Sequence, residues 1–285
     1  MLEIVNDRLQ VGGAPVEFVP TVHVGGRIEP TLIVLHDTAG GPPGDSVSWL
    51  RSNPREVSAH CIVRPDGSVV QLAPFDRRTN HAGPSQRHGR SGCNGWSIGI
   101  EIVNPGRLRG TADRAVSSFG RAYTAADGVA ACPADPCHAA GLWLAYTEAQ
   151  LATVETLIEA LARTYPTIAD LAGHHDICEP PGRKEDPTPL MPWPRMAAAL
   201  ARVRLDSGSA WSAPQSAATH SRCPGAPCRA PLCARRCRRP DGAAHARRHP
   251  HVPGPQRPRH HRHTHRADAR APVRAGCQGD DHRHT

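Results

Sequence analysis

Lysine is almost missing from this chain of 285 residues: of its 34 Lys and Arg residues, only Lys184 is a lysine. An avoidance this general fits a GC-rich codon bias. A lysine kept against that bias draws attention to its surroundings, residues 182–187. Long apolar runs are also absent. No stretch approaches the roughly 18 apolar residues that a membrane helix needs, so no membrane partner is expected. Residues 1–8 show no basic region followed by an apolar run, so no signal peptide is expected and the default location is cytoplasmic. In that reducing compartment Cys61, Cys93, Cys132, Cys137 and Cys178 are expected to be thiols.

Residues 206–285 lack lysine, glutamate, isoleucine and phenylalanine. Trp211, Leu232, Val252 and Val273 are their only large apolar side chains. Such a segment cannot bury enough apolar surface to offset the entropy of ordering it, so disorder is expected there. Its 15 arginines against 5 aspartates give +10, whereas residues 1–205 carry 19 basic against 21 acidic groups, or −2. The overall +8 therefore belongs to the tail and implies no nucleic-acid partner for the domain. Cys223, Cys228, Cys233 and Cys237 are spaced too widely for paired zinc-ligand units. A polybasic patch for anionic polymer is a second reading of the tail. Out-of-frame translation of a GC-rich gene is a third.

Residues 1–205 suffice for one core. Thr31–His36 is an apolar run bounded by Pro30 and the glycines and prolines at 40–43, and predicts a buried strand. Asp45 can cap a short helix through Trp49 and Leu50. Pro65, Asp66 and Gly67 between Ala59–Arg64 and Ser68–Leu72 predict a hairpin. Ser97–Val103 alternates, with Ile98, Ile100 and Ile102 on one face and Glu101 on the other. Residues 105–145 read as an irregular loop insertion, preferred over a metal knuckle of Cys132, Cys137 and His138. Thr147 and Gln150 form a capping box that opens a helix over 148–164, which Pro166 stops. Residues 168–173 should return the chain to the site, and a closing helix spans 193–203 with Pro194 in its first turn. Strands interspersed with helices predict an α/β domain built on a mixed sheet flanked by helices.

His36 ends a buried strand and precedes a loop, where α/β proteins commonly place ligands. His174 follows Gly173, and Asp186 precedes Pro187. Two imidazoles and one carboxylate suit zinc and leave a fourth position open. Spacing alone does not bring His36 to the other two, and a structural role for it remains open.

Eight segments, in order over roughly 31–193, together resemble the type 2 N-acetylmuramoyl-L-alanine amidase family. They are Leu32–His36, Val57–Cys61, Arg64–Phe75, Asn80–Gly83, Asn94–Glu101, Tyr146–Leu151, Gly173–Ile177 and Arg183–Pro187. The resemblance implies a zinc amidase domain over 1–205, with residues 206–285 left as a tail. It implies that His36, His174 and Asp186 hold Zn2+ and that Glu101 is the catalytic carboxylate. Lys184 would be the oxyanion partner. His81 would line the substrate groove or serve as a hydrogen-bonded loop histidine, and His60, on a strand, would be a second groove residue in the wall of the site or a core residue. The implied reaction is hydrolysis of the amide joining N-acetylmuramic acid to L-alanine, in peptidoglycan or its muropeptide fragments, by a monomer. The alternative is a peptidoglycan-binding module without activity. Two departures stand out. The loop from Ile177 to Arg183 is about two residues longer than the family's, and His175 sits beside His174 as a rival ligand. Cys178 is a further soft donor near this loop.

Overall fold

The computed structural model describes residues 2–40 and 45–206. The expectations for residues 207–285 lie outside the described residues. Strands β1 (Leu2–Val5), β2 (Arg8–Val11) and β3 (Ala14–Pro15) form a small antiparallel sheet. The central sheet takes β4 (Glu17–Phe18), β5 (Leu32–Asp37), β6 (Cys61–Val63), β7 (Val69–Gln71), β10 (Ser97–Ile102) and β16 (Asp170–Gly173). Helix α1 (Asp45–Arg51) follows β5, and the two-residue strands β8 (Gln86–Arg87) and β9 (Arg90–Ser91) pair before β10. The spatial order is β16-β5-β10-β6-β7-β4. β16, β5, β10 and β6 run parallel, and the β6–β7 hairpin makes the sheet mixed.

The period of two in the strands decides what each face buries. Ile33, Leu35, Ile98, Ile100 and Ile102 face one way, into the main core. Helices α2 (Glu148–Thr164) and α4 (Trp193–Asp206) cover that face with Val154, Leu157, Ile158, Leu161, Met196 and Leu200. Thr147 caps α2 as expected: its Oγ1 accepts from Gln150 N at 3.1 Å, and Gln150 Oε1 accepts from Thr147 N at 3.0 Å. On the opposite face Leu32, Val34 and Ala172 pack with Ala82, Cys93, Trp96 and Ile177. His36 and Glu101 belong to this second face, at the C-terminal ends of β5 and β10. No helix among the described residues is long and apolar enough to cross a membrane.

Residues 105–145 correct the expectation of an irregular loop. They form a five-stranded antiparallel sheet, in the order β13-β12-β11-β15-β14. Its strands are β11 (Arg107–Thr111), β12 (Arg114–Val116), β13 (Ala122–Tyr123), β14 (Val129–Cys132) and β15 (Gly141–Leu144). A core of Leu108, Ala115, Tyr123 and Val129 holds it together. Strands of two to five residues, filled with Arg, Ala and Gly, are too short to show an alternating pattern. The short strands β1 to β4 escaped notice for the same reason.

Gly67, in the β6–β7 turn, has φ +81° and lies against the start of α2. A Cβ there would stand 2.8 Å from the Ala149 carbonyl oxygen. Gly67→Ala therefore meets both left-handed strain and a backbone clash, and should lower stability by about 1–3 kcal/mol. Urea denaturation measures this; an unchanged midpoint would show that the turn relaxes freely.

Candidate metal centre and active site

The sheet's register builds the site. Glu101 on β10 pairs laterally with His36 on β5, and Gly173 on β16 pairs with Leu35, so His174 emerges beside His36. Asp186 arrives on the loop after α3 (His174–Ile177). The three side chains meet. His36 Nδ1 lies 3.0 Å from His174 Nδ1, and Asp186 Oδ2 lies 3.3 Å from the first and 3.1 Å from the second. All three are almost wholly buried or half-buried.

The hydrogen bonds around these atoms assign the protons. His174 Nε2 lies 3.0 Å from the Ala82 carbonyl, which can only accept, so Nε2 carries a hydrogen and, in the neutral ring, Nδ1 carries the lone pair. Ser97 Oγ must likewise donate to the Cys93 carbonyl at 2.6 Å. It can then accept from His81 Nε2 at 3.1 Å, which leaves His81 Nδ1 to accept from His36 Nε2 at 2.9 Å. His36 Nδ1 is thus also a lone pair. Burial and the neighbouring His174 lower His36 to about 4, so its ring is neutral at pH 7. Burial opposes ionisation of Asp186, but charge and hydrogen bonding from His174 and His36, when a proton stands on the ring nitrogens that face it, hold its carboxyl well below the usual carboxylate range.

Three acceptors therefore converge on one point. Their separations match a tetrahedral zinc-class ion, whose nitrogen ligands at about 2.0–2.1 Å stand roughly 3.3 Å apart. Two imidazoles, each fixed by a second partner at its other nitrogen, and a carboxylate fit such an ion.

These atoms open onto a cavity of about 750 Å³, also lined by Glu101, Lys184, His81, Asp37, Trp49 and Arg55. Burial first, then Asp186 and Asp37, pushes Glu101 up to about 8, while Lys184 pulls it down. His81 reaches this wall, but both its ring nitrogens are spent on His36 and Ser97. It sits on Gly99, where a Cβ would stand 2.4 Å from its Cγ, so only glycine lets the ring lie there. Of the two places open to His60, wall of the site or core, it takes the core. It is fully buried, its Nε2 donates to the Arg77 carbonyl at 2.8 Å, and its Nδ1 accepts from Gly99 N at 3.0 Å. His175 turns away from Asp186 Oδ2, and its Nδ1 donates to the Asp186 carbonyl at 3.0 Å. Cys178 Sγ lies 3.6 Å from each of the carbonyls of His175 and Pro180, within its own turn.

A profile of the N-acetylmuramoyl-L-alanine amidase family matches residues 26–189, more than half of the chain. The chain belongs to this family. It is 34% identical over 204 residues to the 1,6-anhydro-N-acetylmuramyl-L-alanine amidase AmpD of Salmonella typhimurium strain SL1344, which covers 64% of this chain and 89% of that protein. AmpD of Escherichia coli K12 is 35% identical over 198 residues, covering 62% and 87%. A crystal structure of a selenomethionine AmpD derivative aligns with 69% of this chain and 98% of its own, at 29% identity and a TM-score of 0.45.

Around this amidase's site, sequence reasoning missed a second layer. Asp37 Oδ1 accepts from Tyr146 Oη at 2.5 Å and its Oδ2 from Thr188 N at 2.8 Å, which ties the Asp186 loop to the end of β5. The signal for Asp37 was its place directly after His36. His138, rejected as part of a knuckle, holds the same loop: its Nε2 donates to the Pro187 carbonyl at 2.9 Å. Arg183 Nη2 donates to the carbonyls of Ala82 and Pro84 at 3.1 and 2.9 Å, clamping the His81 loop from the other side.

The raised Glu101 has a consequence for stability. An unfolded glutamate ionises near 4.3, whereas the folded one holds its proton to about 8. Between these values the folded chain binds more protons, so metal-free stability falls as pH rises. Metal-free Glu101→Gln should gain on metal-free wild type from pH 5 to pH 8, by on the order of a few kcal/mol. Urea unfolding of chelator-treated proteins at several pH values measures this, and a difference independent of pH would place Glu101 at an ordinary pKa.

Proposed function

We propose that this amidase is zinc-dependent and hydrolyses the bond between the lactyl group of N-acetylmuramic acid and L-alanine in 1,6-anhydro-muropeptide fragments. The observation that carries the reading is the convergence of three lone pairs on one point beside Glu101. The preference for anhydro fragments is supported by the likeness to the AmpD proteins, whose names state that substrate.

In this reading His36 Nδ1, His174 Nδ1 and Asp186 Oδ2 hold the ion. When bound, the ion acidifies water and polarises the scissile carbonyl. Glu101 takes a proton from the attacking water and passes it to the departing amine of L-alanine. The new C–O bond leaves the lactyl carboxylate, and the broken C–N bond leaves a peptide with a free amine. A base whose pKa lies close to working pH suits both halves of that transfer. Lys184, a compact cation on the same cavity, stabilises the oxyanion that develops on the carbonyl. His81 acts through His36: by accepting from Nε2 it keeps Nδ1 available.

Metal analysis and turnover on an anhydro-muropeptide, beside intact sacculi, test the reading. One zinc should be lost in His36→Ala and in Asp186→Ala, and full retention in both would remove the site as drawn. His174→Ala should abolish activity, whereas His175→Ala should only weaken it, because His175 touches the Asp186 carbonyl and not its carboxylate. The reverse ranking would move the ligand by one residue. Faster turnover on sacculi than on the fragment would overturn the substrate assignment.

Glu101 and Lys184 should govern rate at constant zinc content. Glu101→Gln should lower turnover by ~10²–10⁴. Lys184→Ala should remove about 2.7–4 kcal/mol of transition-state stabilisation, and Lys184→Arg should rescue it poorly. Turnover at matched zinc occupancy decides this, and near wild-type rates would assign the proton transfer or the oxyanion to other groups.

A further inference from the structure

Behind the first site, a second group of donors joins the inserted sheet to α3. Asp135 organises a tight turn: its Oδ1 accepts from the backbone N–H groups of Cys137 and His138, each at 2.7 Å. The same carboxylate pairs with His138 Nδ1, which burial lowers but Asp135 raises more, leaving His138 above its ordinary value. The turn thereby presents Cys137 to His175 and Asp176. Cys137 Sγ, a His175 ring nitrogen and an Asp176 carboxylate oxygen lie within 4.8 Å of one another.

The protons are assigned here as at the first site. His175 Nδ1 must donate to the Asp186 carbonyl, so in the neutral ring Nε2 is a lone pair. Asp176 Oδ2 is engaged by Gly173 N at 2.9 Å, and its Oδ1 stands 3.6 Å from His175 Nε2. That distance is too long for an N–H···O hydrogen bond. It is near the spacing of two ligands on one tetrahedral ion. His138 and Trp193 hold the His175 ring edge-on, with centroids at 4.8 and 6.1 Å.

We propose that Cys137, His175 and Asp176 bind a second divalent ion of the zinc class, separate from the His36, His174 and Asp186 site. A thiolate, an imidazole and a carboxylate are a borderline-soft set carrying two negative charges when ionised, which a divalent cation neutralises. None of the three lines the main cavity, so the ion is structural: it staples the insertion to the turn that carries His174. Cys137 is partly exposed, which gives the ion an entry path.

The test uses cobalt(II) in the full chain. The first site has no sulfur donor, so sulfur-to-cobalt charge-transfer absorption reports a thiolate site alone. Cys137→Ser should abolish a component of that absorption and lower bound metal by one equivalent, with the other domain equivalent and amidase activity retained. Unchanged absorption and stoichiometry would overturn the site. A second measurement needs no variant. Alkylation followed by peptide mass mapping should find Cys137 protected in the zinc-loaded chain, at least tenfold slower than after chelation. Equal labelling in both states would overturn the proposal even if Cys137→Ser fails to fold.

Discussion

Three lone pairs held 3.0–3.3 Å apart in a buried position repel one another unless a cation lies among them. The surrounding structure supplies what that arrangement demands. Two parallel strand pairings fix the backbone positions of His36 and His174. Each imidazole is then fixed in rotation and tautomer by a carbonyl at the end of a hydrogen-bond path. For His174 the path is one bond long, to Ala82. For His36 it runs through His81 and Ser97 to Cys93. A neutral imidazole with one nitrogen donating has only its other nitrogen to offer. Directionality at the site therefore originates in backbone carbonyls that cannot themselves titrate.

The third donor has no strand beneath it, and the fold compensates with ties from several directions. The Asp186 carbonyl accepts from both the N–H and Nδ1 of His175, at 2.9 and 3.0 Å. The next carbonyl, that of Pro187, accepts from His138 of the insertion. One residue further, Thr188 N is held by Asp37. Successive residues are thus tied to α3, to the inserted sheet and to β5. A loop secured in this way places its carboxylate with a precision that loops otherwise lack.

Legibility in the sequence followed the length and regularity of each element. β5, β10 and the β6–β7 hairpin were readable because their apolar residues alternate or run between turn signals. α2 was readable to the residue because Thr147 and Gln150 cap it reciprocally. The insertion was not, because its strands hold too few residues to establish a period, and β11 exposes four of its five positions. Among the site residues, the ordered motifs pointed to His36, Glu101, His174, Lys184 and Asp186, and the structure brings all five to one cavity. The motifs could not separate the roles of His60 and His81. Both lie in ordered segments, and what distinguishes them is ring direction: His60 is saturated by Arg77 and Gly99, whereas His81 reaches His36. That distinction depends on Gly99, whose missing side chain makes room for the His81 ring and whose N–H occupies His60.

Glu101 illustrates how the two faces of the sheet divide their work. Its strand neighbours Ile100 and Ile102 are fully buried against α2 and α4, so β10 cannot shift without breaking the main core. The alternation that anchors those isoleucines directs the Glu101 carboxyl to the opposite face, next to His36 and within the fields of Asp186, Asp37 and Lys184. Burial and the two aspartates favour the protonated acid, and the lysine favours the carboxylate. A cation placed among His36, His174 and Asp186 would add to the lysine's side of that balance and move Glu101 toward its basic form. The same isoleucine pattern that stabilises the fold therefore puts the one buried glutamate among the described residues where its protonation responds to occupation of the neighbouring site.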